Sequence, residues 1–151
     1  MRVIKFKKTI DEELLYLKTL STQKHIGNNL NPKSLKNFQE EFAQTEITFL
    51  NILSHTHEIA GYIILKKTGA FVQLKRIVID EKHLGIGAEV MRELEDYVLE
   101  HYGLYEIWLD VYTDNTRAIR LYEKLGYARY NVDMENHREV WFYRKDLKEL
   151  K

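Results

Sequence analysis

Apolar and polar positions repeat along the chain with two different periods, and each period predicts a different kind of element. Alternation and short apolar runs bounded by turn residues predict seven strands, at 2–8, 46–54, 58–66, 71–79, 105–112, 127–133 and 138–145. Apolar residues three or four positions apart predict four helices, near 9–20, from 31 onward, over 85–102 and over 116–125. The predicted order is β-α-α-β-β-β-α-β-α-β-β, without a repeat or a linker.

Local signals predict where the helices and turns begin and end. Residues 9–12, TIDE, match the capping-box pattern, so a helix is expected to begin with Thr9 as its cap. Asn31 and the proline after it predict the start of a second helix. Gly126 is expected to end the last helix, and residues 67–69, KTG, predict a hairpin turn between two strands.

The order of elements also predicts the architecture. Helices that lie between strands must cover a mixed sheet, so we expect a layered α/β (α+β) fold. A length of 151 residues corresponds to one ordinary domain. With one proline and seven glycines the chain shows no candidate boundary, and the whole of 1–151 is expected to be a single domain.

Composition argues against several classes of function. Lysine plus arginine equals aspartate plus glutamate at 23 each, so we expect neither a nucleic-acid nor a membrane partner. The chain has no cysteine, which excludes disulfides and cysteine nucleophiles. His55 and His57 have no acid cluster nearby, so no metal is expected. Without the apolar block of a signal peptide or a membrane span, a cytoplasmic protein is expected.

The segment 76–91 combines a strand, a short loop, two glycines and a helix start. The N-terminus of a helix offers free N–H groups and partial positive charge, which suit a phosphate. Gly85 and Gly87 let the backbone approach a diphosphate closely, and a side chain at Gly87 is expected to occupy the place of the phosphate. A plain tight turn would show the same pattern. A dinucleotide fingerprint is excluded because its third glycine position is Val90.

Two motifs occur in a fixed order along the chain. Residues 82–87, KHLGIG, are similar to the pattern Gln/Arg-x-x-Gly-x-Gly/Ala, and residues 115–127, NTRAIRLYEKLGY, to Asn-x-x-Ala-x-x-x-Tyr-Glu-Lys-x-Gly-Phe/Tyr. Over 58–127 the chain therefore resembles the Gcn5-related N-acetyltransferases (GNAT), especially ribosomal-protein and small-amine N-acetyltransferases. The resemblance implies a mostly antiparallel sheet with helices on both faces. It also implies an enzyme that transfers an acetyl group directly from acetyl-CoA to a primary amine of a small molecule or protein.

The resemblance further implies how acetyl-CoA, the co-substrate, would be held. In the family, the strand equivalent to 71–79 separates from the strand equivalent to 105–112, and the pantetheine arm enters the gap. The arm pairs with the backbone of the first strand, and the diphosphate rests on N–H groups of the glycine loop. The residues expected to bind acetyl-CoA are Ile77, Val78, Ile79, Lys82, His83, Leu84, Gly85, Ile86, Gly87, Ala88, Asn115, Ala118 and Tyr122.

Tyr122 is the residue to which the resemblance assigns catalysis, as the proton donor to the departing thiolate. Attack of a neutral amine on a thioester passes through an oxyanion, which a backbone N–H of 71–79 can stabilise. A phenol near the sulfur can then act as general acid. A lone tyrosine on the apolar face of a short helix is more often a core residue. Asn115 can cap its helix, contact the cofactor, or do both.

Gln73 departs from the family pattern, because several members carry a glutamate general base at this place. A glutamine cannot take a proton, so Gln73 is expected to position the acceptor amine or a water, and the proton is expected to pass to solvent. The departure also motivates a rival function, a non-catalytic acyl-CoA-binding regulatory module. The identity of the acceptor and the oligomeric state remain open, with a homodimer as one option.

Overall fold

The structure, a computed structural model, describes residues 4–148. Its seven strands are β1 (Lys5–Lys8), β2 (Ile47–Leu53), β3 (Ile59–Thr68), β4 (Phe71–Ile79), β5 (Glu106–Tyr112), β6 (Ala128–Glu135) and β7 (Arg138–Asp146). They form one sheet in the order β1-β2-β3-β4-β5-β7-β6. Only β4 and β5 pair in parallel, and every other neighbouring pair is antiparallel. The predicted strand at 2–8 is confirmed from Lys5 onward, and positions 2 and 3 lie outside the described residues.

Four α-helices cover the sheet. They are α1 (Leu14–Leu20), α2 (Leu35–Phe42), α3 (Gly87–Tyr97) and α4 (Thr116–Lys124). Short 3-10 turns at Asp11–Glu13 and Glu81–His83 precede α1 and α3, and a π-helical segment, Val98–Tyr102, extends α3. Within residues 4–148 none of the helices has the length and apolar character needed to cross a membrane. The predicted order of elements and the mixed α/β architecture are confirmed.

The sheet separates two apolar cores, which explains why the helices occupy both faces. On one face α3 and α4 pack through buried residues such as Leu94 and Ile119. On the other face α1 and α2 pack through Leu17 and Phe38. Each strand that lies between both layers of helices must therefore be apolar on both sides, and β3 is buried from Ala60 to Leu65 without a break.

The strands β4 and β5 separate halfway along β4. Their pairing covers only Val72–Leu74 opposite Ile107–Leu109, although β4 continues to Ile79. A shift in the register between β3 and β4 leaves Lys75 as an extra residue in β4. Such a bulge bends and twists its strand. The second half of β4 therefore turns away from β5, and a cleft opens between them.

The predicted start of the first helix is wrong, because Thr9 has a partner far away in sequence. Its hydroxyl donates to Asn51 Oδ1 over 2.6 Å, and both residues are buried. The carboxylate that accepts the Ile10 N–H belongs to Glu13, at 3.0 Å, and not to Glu12. The cap therefore lies one residue later than the sequence pattern predicts.

The predicted start of the second helix is wrong for a similar reason. The cap of α2 is Ser34, whose Oγ accepts the Asn37 N–H at 3.1 Å. Asn31 instead accepts a hydrogen bond from the Tyr112 hydroxyl (2.8 Å) and donates to Glu135 Oε1 (3.2 Å). These bonds tie the segment between α1 and α2 to β5 and β6.

Candidate active site

A cavity of about 380 Å³ occupies the cleft between the diverging parts of β4 and β5. Its walls come from these two strands, the glycine loop, α4 and the segment between α1 and α2. Nine of the residues predicted to bind acetyl-CoA line it: Ile77, Ile79, Leu84, Gly85, Gly87, Ala88, Asn115, Ala118 and Tyr122. The structure thus brings most of the predicted residues to one surface. We call this space the first cavity.

Four predicted residues do not line the first cavity. Val78 is buried in the core under α1 and α2 and pairs with Tyr62 of β3, so its assignment to the cleft is corrected. Lys82 and His83 lie in the 3-10 turn before α3, with His83 Nε2 3.9 Å from the Glu58 carboxylate. Ile86 packs against the core under α3 and α4. None of the side chains of Lys82, His83 and Ile86 lines the first cavity.

The N-terminus of α3 is built to expose its N–H groups. Gly85 has a φ of +101°, a conformation that favours glycine, and a Cβ placed there would meet no atom within 4 Å. The first hydrogen bond of α3 runs from the Val90 N–H to the Ile86 carbonyl, at 2.9 Å. The N–H groups of 87–89 therefore have no acceptor within the helix, and no side chain caps them. This end of the helix can bind an anion.

Gly87 lines the first cavity and also lies close to α4. A Cβ at this position would lie 3.0 Å from Leu121 Cδ2 in α4. The missing side chain therefore allows α3 and α4 to approach each other closely. A side chain at Gly87 would press on the end of Leu121, which lines the same cavity, and its effect on a bound phosphate stays a prediction. The open space lies at Gly85.

The second half of β4 directs backbone groups into the cleft. The Asp80 N–H donates to the carbonyl of Ala60, in the first half of β3, at 2.8 Å. Because successive residues of a strand point their backbone groups to opposite edges, those of Ile77 and Ile79 point away from β3 and towards the cleft. The Nε2–H of His25 donates to the Ile79 carbonyl over 2.7 Å. Ile77 thus offers its N–H and carbonyl to the cleft, while the Ile79 carbonyl is shared with His25.

Tyr122 lies on α4, whose start is fixed by Asn115. The side-chain oxygen of Asn115 accepts the Ala118 N–H at 3.4 Å, so its predicted role as cap is confirmed. Tyr122 is only 6% exposed. Burial, followed by the negative charge of Asp110, raises the pKa of Tyr122 to about 12. The phenol therefore stays protonated at neutral pH, which is the state that a proton donor requires.

A second cavity, of about 370 Å³, adjoins the first. The two cavities share Asn29, Leu30, Lys75, Arg76, Asp110 and Val111. Their junction lies where the sheet opens, because Lys75 and Asp110 directly follow Leu74 and Leu109, the last residues that pair between β4 and β5. Gln73 lines only the second cavity.

Acidic and basic side chains line the second cavity in equal numbers: Lys33, Lys75, Arg76, Glu41, Asp110 and Glu135. Glu41 is buried and forms ion pairs with Lys33, at 2.8 Å, and with Lys75. Burial opposes its ionisation, but the hydrogen bonds and charges of the two lysines outweigh burial and lower the pKa of Glu41. For Asp110, burial and then the charge of Glu135 outweigh the attraction of Lys75 and raise the pKa. One carboxylate is thus locked in ion pairs, and the other binds a proton more readily than a free aspartate.

Sequence reasoning missed the cavity residues that lie between α1 and α2 and those on β5. They are His25, Ile26, Asn29, Leu30, Leu109, Asp110 and Val111. No motif marks the first group, which reaches the cleft through long-range bonds such as the one from the Arg138 guanidinium to the Asn28 carbonyl, at 2.6 Å. The one usable signal was Asp110 itself, an acidic residue between apolar neighbours.

Comparisons with known proteins agree with this geometry. The family model described as the acetyltransferase (GNAT) family matches residues 15–127. An N-alpha-acetyltransferase of Sulfurisphaera tokodaii is 28% identical over 109 residues, which are 63% of this chain and 65% of that protein. A spermine/spermidine N(1)-acetyltransferase of Bacillus subtilis is 32% identical over 66 residues, 42% of this chain and 43% of that protein. The matches span less than two thirds of the length of either relative.

Solved structures share the fold over almost their whole length. Spermidine N-acetyltransferase from Vibrio cholerae, in complex with CoA and spermine, has a TM-score of 0.83 at 17% identity, and the match covers 98% of both chains. An aminoglycoside acetyltransferase in complex with coenzyme A has a TM-score of 0.79 at 19% identity, over 95% of this chain and 94% of that chain. These likenesses confirm the layered fold that the sequence predicts.

Proposed function

The chain belongs to the acetyltransferase (GNAT) family, and we propose that it is an acetyl-CoA-dependent N-acetyltransferase. The acetyl group passes directly to a primary amine of a small molecule or protein. The observation that carries this proposal is the meeting of two cavities where β4 and β5 separate. The first cavity binds acetyl-CoA, the second binds the acceptor, and the acetyl group is transferred where the two cavities meet.

The first cavity suits acetyl-CoA at two points. The free N–H groups at the start of α3 and the open space at Gly85 fit a diphosphate. The backbone of Ile77 can pair with an amide of the pantetheine arm, since β5 no longer pairs with this part of β4. Acetyl-CoA supplies the activated acetyl group. Because acetyl-CoA is used inside cells, we place the protein in the cytoplasm.

Tyr122 is the proposed general acid. Its raised pKa, about 12, keeps the proton on the phenol until the C–S bond breaks. The departing thiolate then takes that proton. The nitrogen of the tetrahedral intermediate is positively charged and is a far stronger acid than the phenol. It gives up a proton, which returns Tyr122 to its protonated form. Tyr122 therefore acts as a relay and never has to exist for long as a buried anion.

The second cavity suits an acceptor that carries a positive charge before it reacts. The charges of the cavity are equal in number, but both lysines are paired with Glu41 and Arg76 donates to the Asn31 carbonyl. Asp110 and Glu135 are therefore the carboxylates that can attract an ammonium group. Gln73 lines the same wall and is proposed to position the acceptor amine through its amide oxygen. A volume of about 370 Å³ is within the range of small-molecule sites.

The proposed function is tested by the release of free CoA from acetyl-CoA in the presence of different amines. The panel contains polyamines, aminoglycosides and peptides with a free N-terminus, and the product is identified by mass spectrometry. Release that depends on an amine, with an acetylated product, supports the proposal. Tight binding of acetyl-CoA without release for any amine would instead support the non-catalytic acyl-CoA-binding module that Gln73 motivates.

The outer edge of the sheet suits a second copy of the chain, and we propose a homodimer. Every residue of β6 is exposed, including Tyr130, Val132 and Met134. Antiparallel pairing of two β6 strands about Val132 places this residue beside the partner subunit's Val132. Light scattering should therefore give twice the mass of one chain. Val132→Lys should give monomers, because it sets two like charges opposite each other, whereas a monomeric parent protein contradicts the proposal.

A further inference from the structure

Asp110 stands at the point where the two cavities meet. It directly follows Leu109, the last residue of β5 that pairs with β4, and it lines both cavities. Across the opening lies Lys75, the bulge residue of β4. Asp110 is therefore one of the residues that border the junction of the two cavities.

Asp110 also lies on the same face of the sheet as Gln73. Gln73 pairs with Trp108 of β5, and residues two apart in a strand share a face, so Asp110 points to the same side as Trp108. Leu109 and Val111, which alternate with it, are buried in the core under α3 and α4. Asp110 thus lies on the strand next to that of Gln73 and on the same face of the sheet. Its carboxylate can accept a proton, whereas the Gln73 amide cannot.

Charged and titratable groups from three elements act on Asp110. Glu135 and Tyr130 approach from β6, Lys75 from β4 and Tyr122 from α4. Burial and then Glu135 raise the pKa of Asp110, and the positive charge of Lys75 compensates only in part. A pKa that lies nearer to neutrality suits a group that must take a proton at physiological pH.

The other two carboxylates of the second cavity already have partners, and the histidine of the first cavity lies away from the acceptor. Glu41 is held by two lysines, which lower its pKa and make it a poor proton acceptor. Glu135 is exposed and accepts a hydrogen bond from Asn31 at 3.2 Å. His25 lines only the first cavity; its Nε2–H donates to the Ile79 carbonyl, and its buried Nδ1 has no hydrogen-bond partner among the described residues. Asp110 is the carboxylate that lines both cavities.

We propose that Asp110 is the general base of the acetyl transfer, an inference that rests on the proposed function. An ammonium proton of the acceptor passes to a carboxylate oxygen of Asp110, and the electron pair of the broken N–H bond stays on nitrogen. This proton was expected from the sequence to pass directly to solvent.

The remaining bond changes and proton transfers complete the reaction. The free amine forms a C–N bond to the acetyl carbon, the C–S bond breaks, and the thiolate takes the proton of Tyr122. The second nitrogen proton restores the Tyr122 phenol, and Asp110 releases its own proton to water. The products are the acetamide, the CoA thiol and one proton.

The test is the pH dependence of kcat/KM for the acceptor, measured with amines of different pKa. In the parent enzyme the plot of kcat/KM against pH should bend at the same pH for every amine, whatever the pKa of that amine. In Asp110→Asn the bend should disappear, and kcat/KM should rise about tenfold per pH unit up to the pKa of each amine. At neutral pH the loss should be about 100-fold or more. Asp110→Glu, which retains a carboxylate, should keep the bend.

Glu135→Gln is the matched control, because it removes a carboxylate from the same cavity. It should keep the bend and move it to lower pH, since the charge of Glu135 helps to raise the pKa of Asp110. A bend that instead disappears in Glu135→Gln and persists in Asp110→Asn would identify Glu135 as the base and overturn the assignment.

Thermal melting separates loss of the base from loss of the fold. A folded-state pKa above the unfolded value means that folding disfavours the Asp110 carboxylate. This cost is absent below the unfolded-state pKa and is fully present above the folded-state pKa. At neutral pH, Asp110→Asn should therefore melt no lower than the parent protein and should still be stabilised by CoA.

Three outcomes count against different parts of the account. Turnover by Asp110→Asn within about twofold of the parent, with the bend retained, overturns the role of Asp110. Absence of amine-dependent CoA release by the parent enzyme overturns the proposed function itself. A variant Asp110→Glu that folds, binds CoA and lacks the bend also contradicts the assignment.

Discussion

The change Tyr122→Phe removes one hydroxyl from the wall of the first cavity and almost no volume. The pKa of about 12, compared with an ordinary 10, means that this site disfavours the tyrosinate by about 3 kcal/mol. The phenol is therefore protonated throughout the range in which an acetyltransferase can be assayed. Loss of a general acid should lower kcat by about 100-fold or more. The raised pKa also predicts that the pH profile of the parent enzyme shows no loss of activity near pH 10 from ionisation of this residue.

Steady-state kinetics and isothermal titration with CoA measure this effect, with Tyr127→Phe as the matched control. The Tyr127 hydroxyl donates to the buried Glu95 carboxylate at 2.9 Å and does not line either cavity. Tyr127→Phe should therefore lose about 1–3 kcal/mol of stability and keep its kcat. Tyr122→Phe should show the reverse, with a low kcat and a nearly unchanged affinity for CoA. A kcat within about twofold of the parent would assign Tyr122 to packing.

Two further predictions concern the glycine loop and the ion pairs of the second cavity. Gly85→Val should cost about 1–3 kcal/mol of stability because of the positive φ, and it should weaken CoA binding. Gly87→Ala presses only on Leu121 and should change CoA binding much less. Titration of both variants with CoA compares the two effects. The lowered pKa of Glu41 means that its stabilising effect is present above the unfolded-state pKa and is lost as the pH falls through the folded-state pKa. Glu41→Gln should therefore cost about 3 kcal/mol at pH 7 and little in strong acid, as measured by urea unfolding. An equal cost at both pH values would contradict the ion-pair explanation.

The fold could be predicted well where local pattern and tertiary packing agree. The strand β4 has the predicted bounds, and α4 differs from its prediction by one residue at its end. In both elements the spacing of the apolar residues matches the faces that pack against a core. The predictions failed at Thr9 and Asn31, where a side chain that suits a local cap bonds instead to Asn51 or Tyr112. Such partners are more than 40 residues away, and no local pattern contains them.

The candidate site could be predicted only in part, for a related reason. The residues of the glycine loop and α4 follow one another along the chain, so their motifs are visible in the sequence. The second cavity is assembled from the segment between α1 and α2, from α2 and from residues of five strands. Asp110 belongs to that second group, and its importance depends on the bulge at Lys75 that opens the sheet beside it.

The binding of CoA to the cleft between β4 and β5 is the central claim, and thermal melting with and without CoA tests it most directly. At a concentration of about 100 times the dissociation constant, CoA should stabilise the protein by about 2.7 kcal/mol. For a chain of this length the expected rise in Tm is roughly 5–10 °C, and Gly85→Val should show a much smaller rise. An unchanged Tm at millimolar CoA would contradict the account.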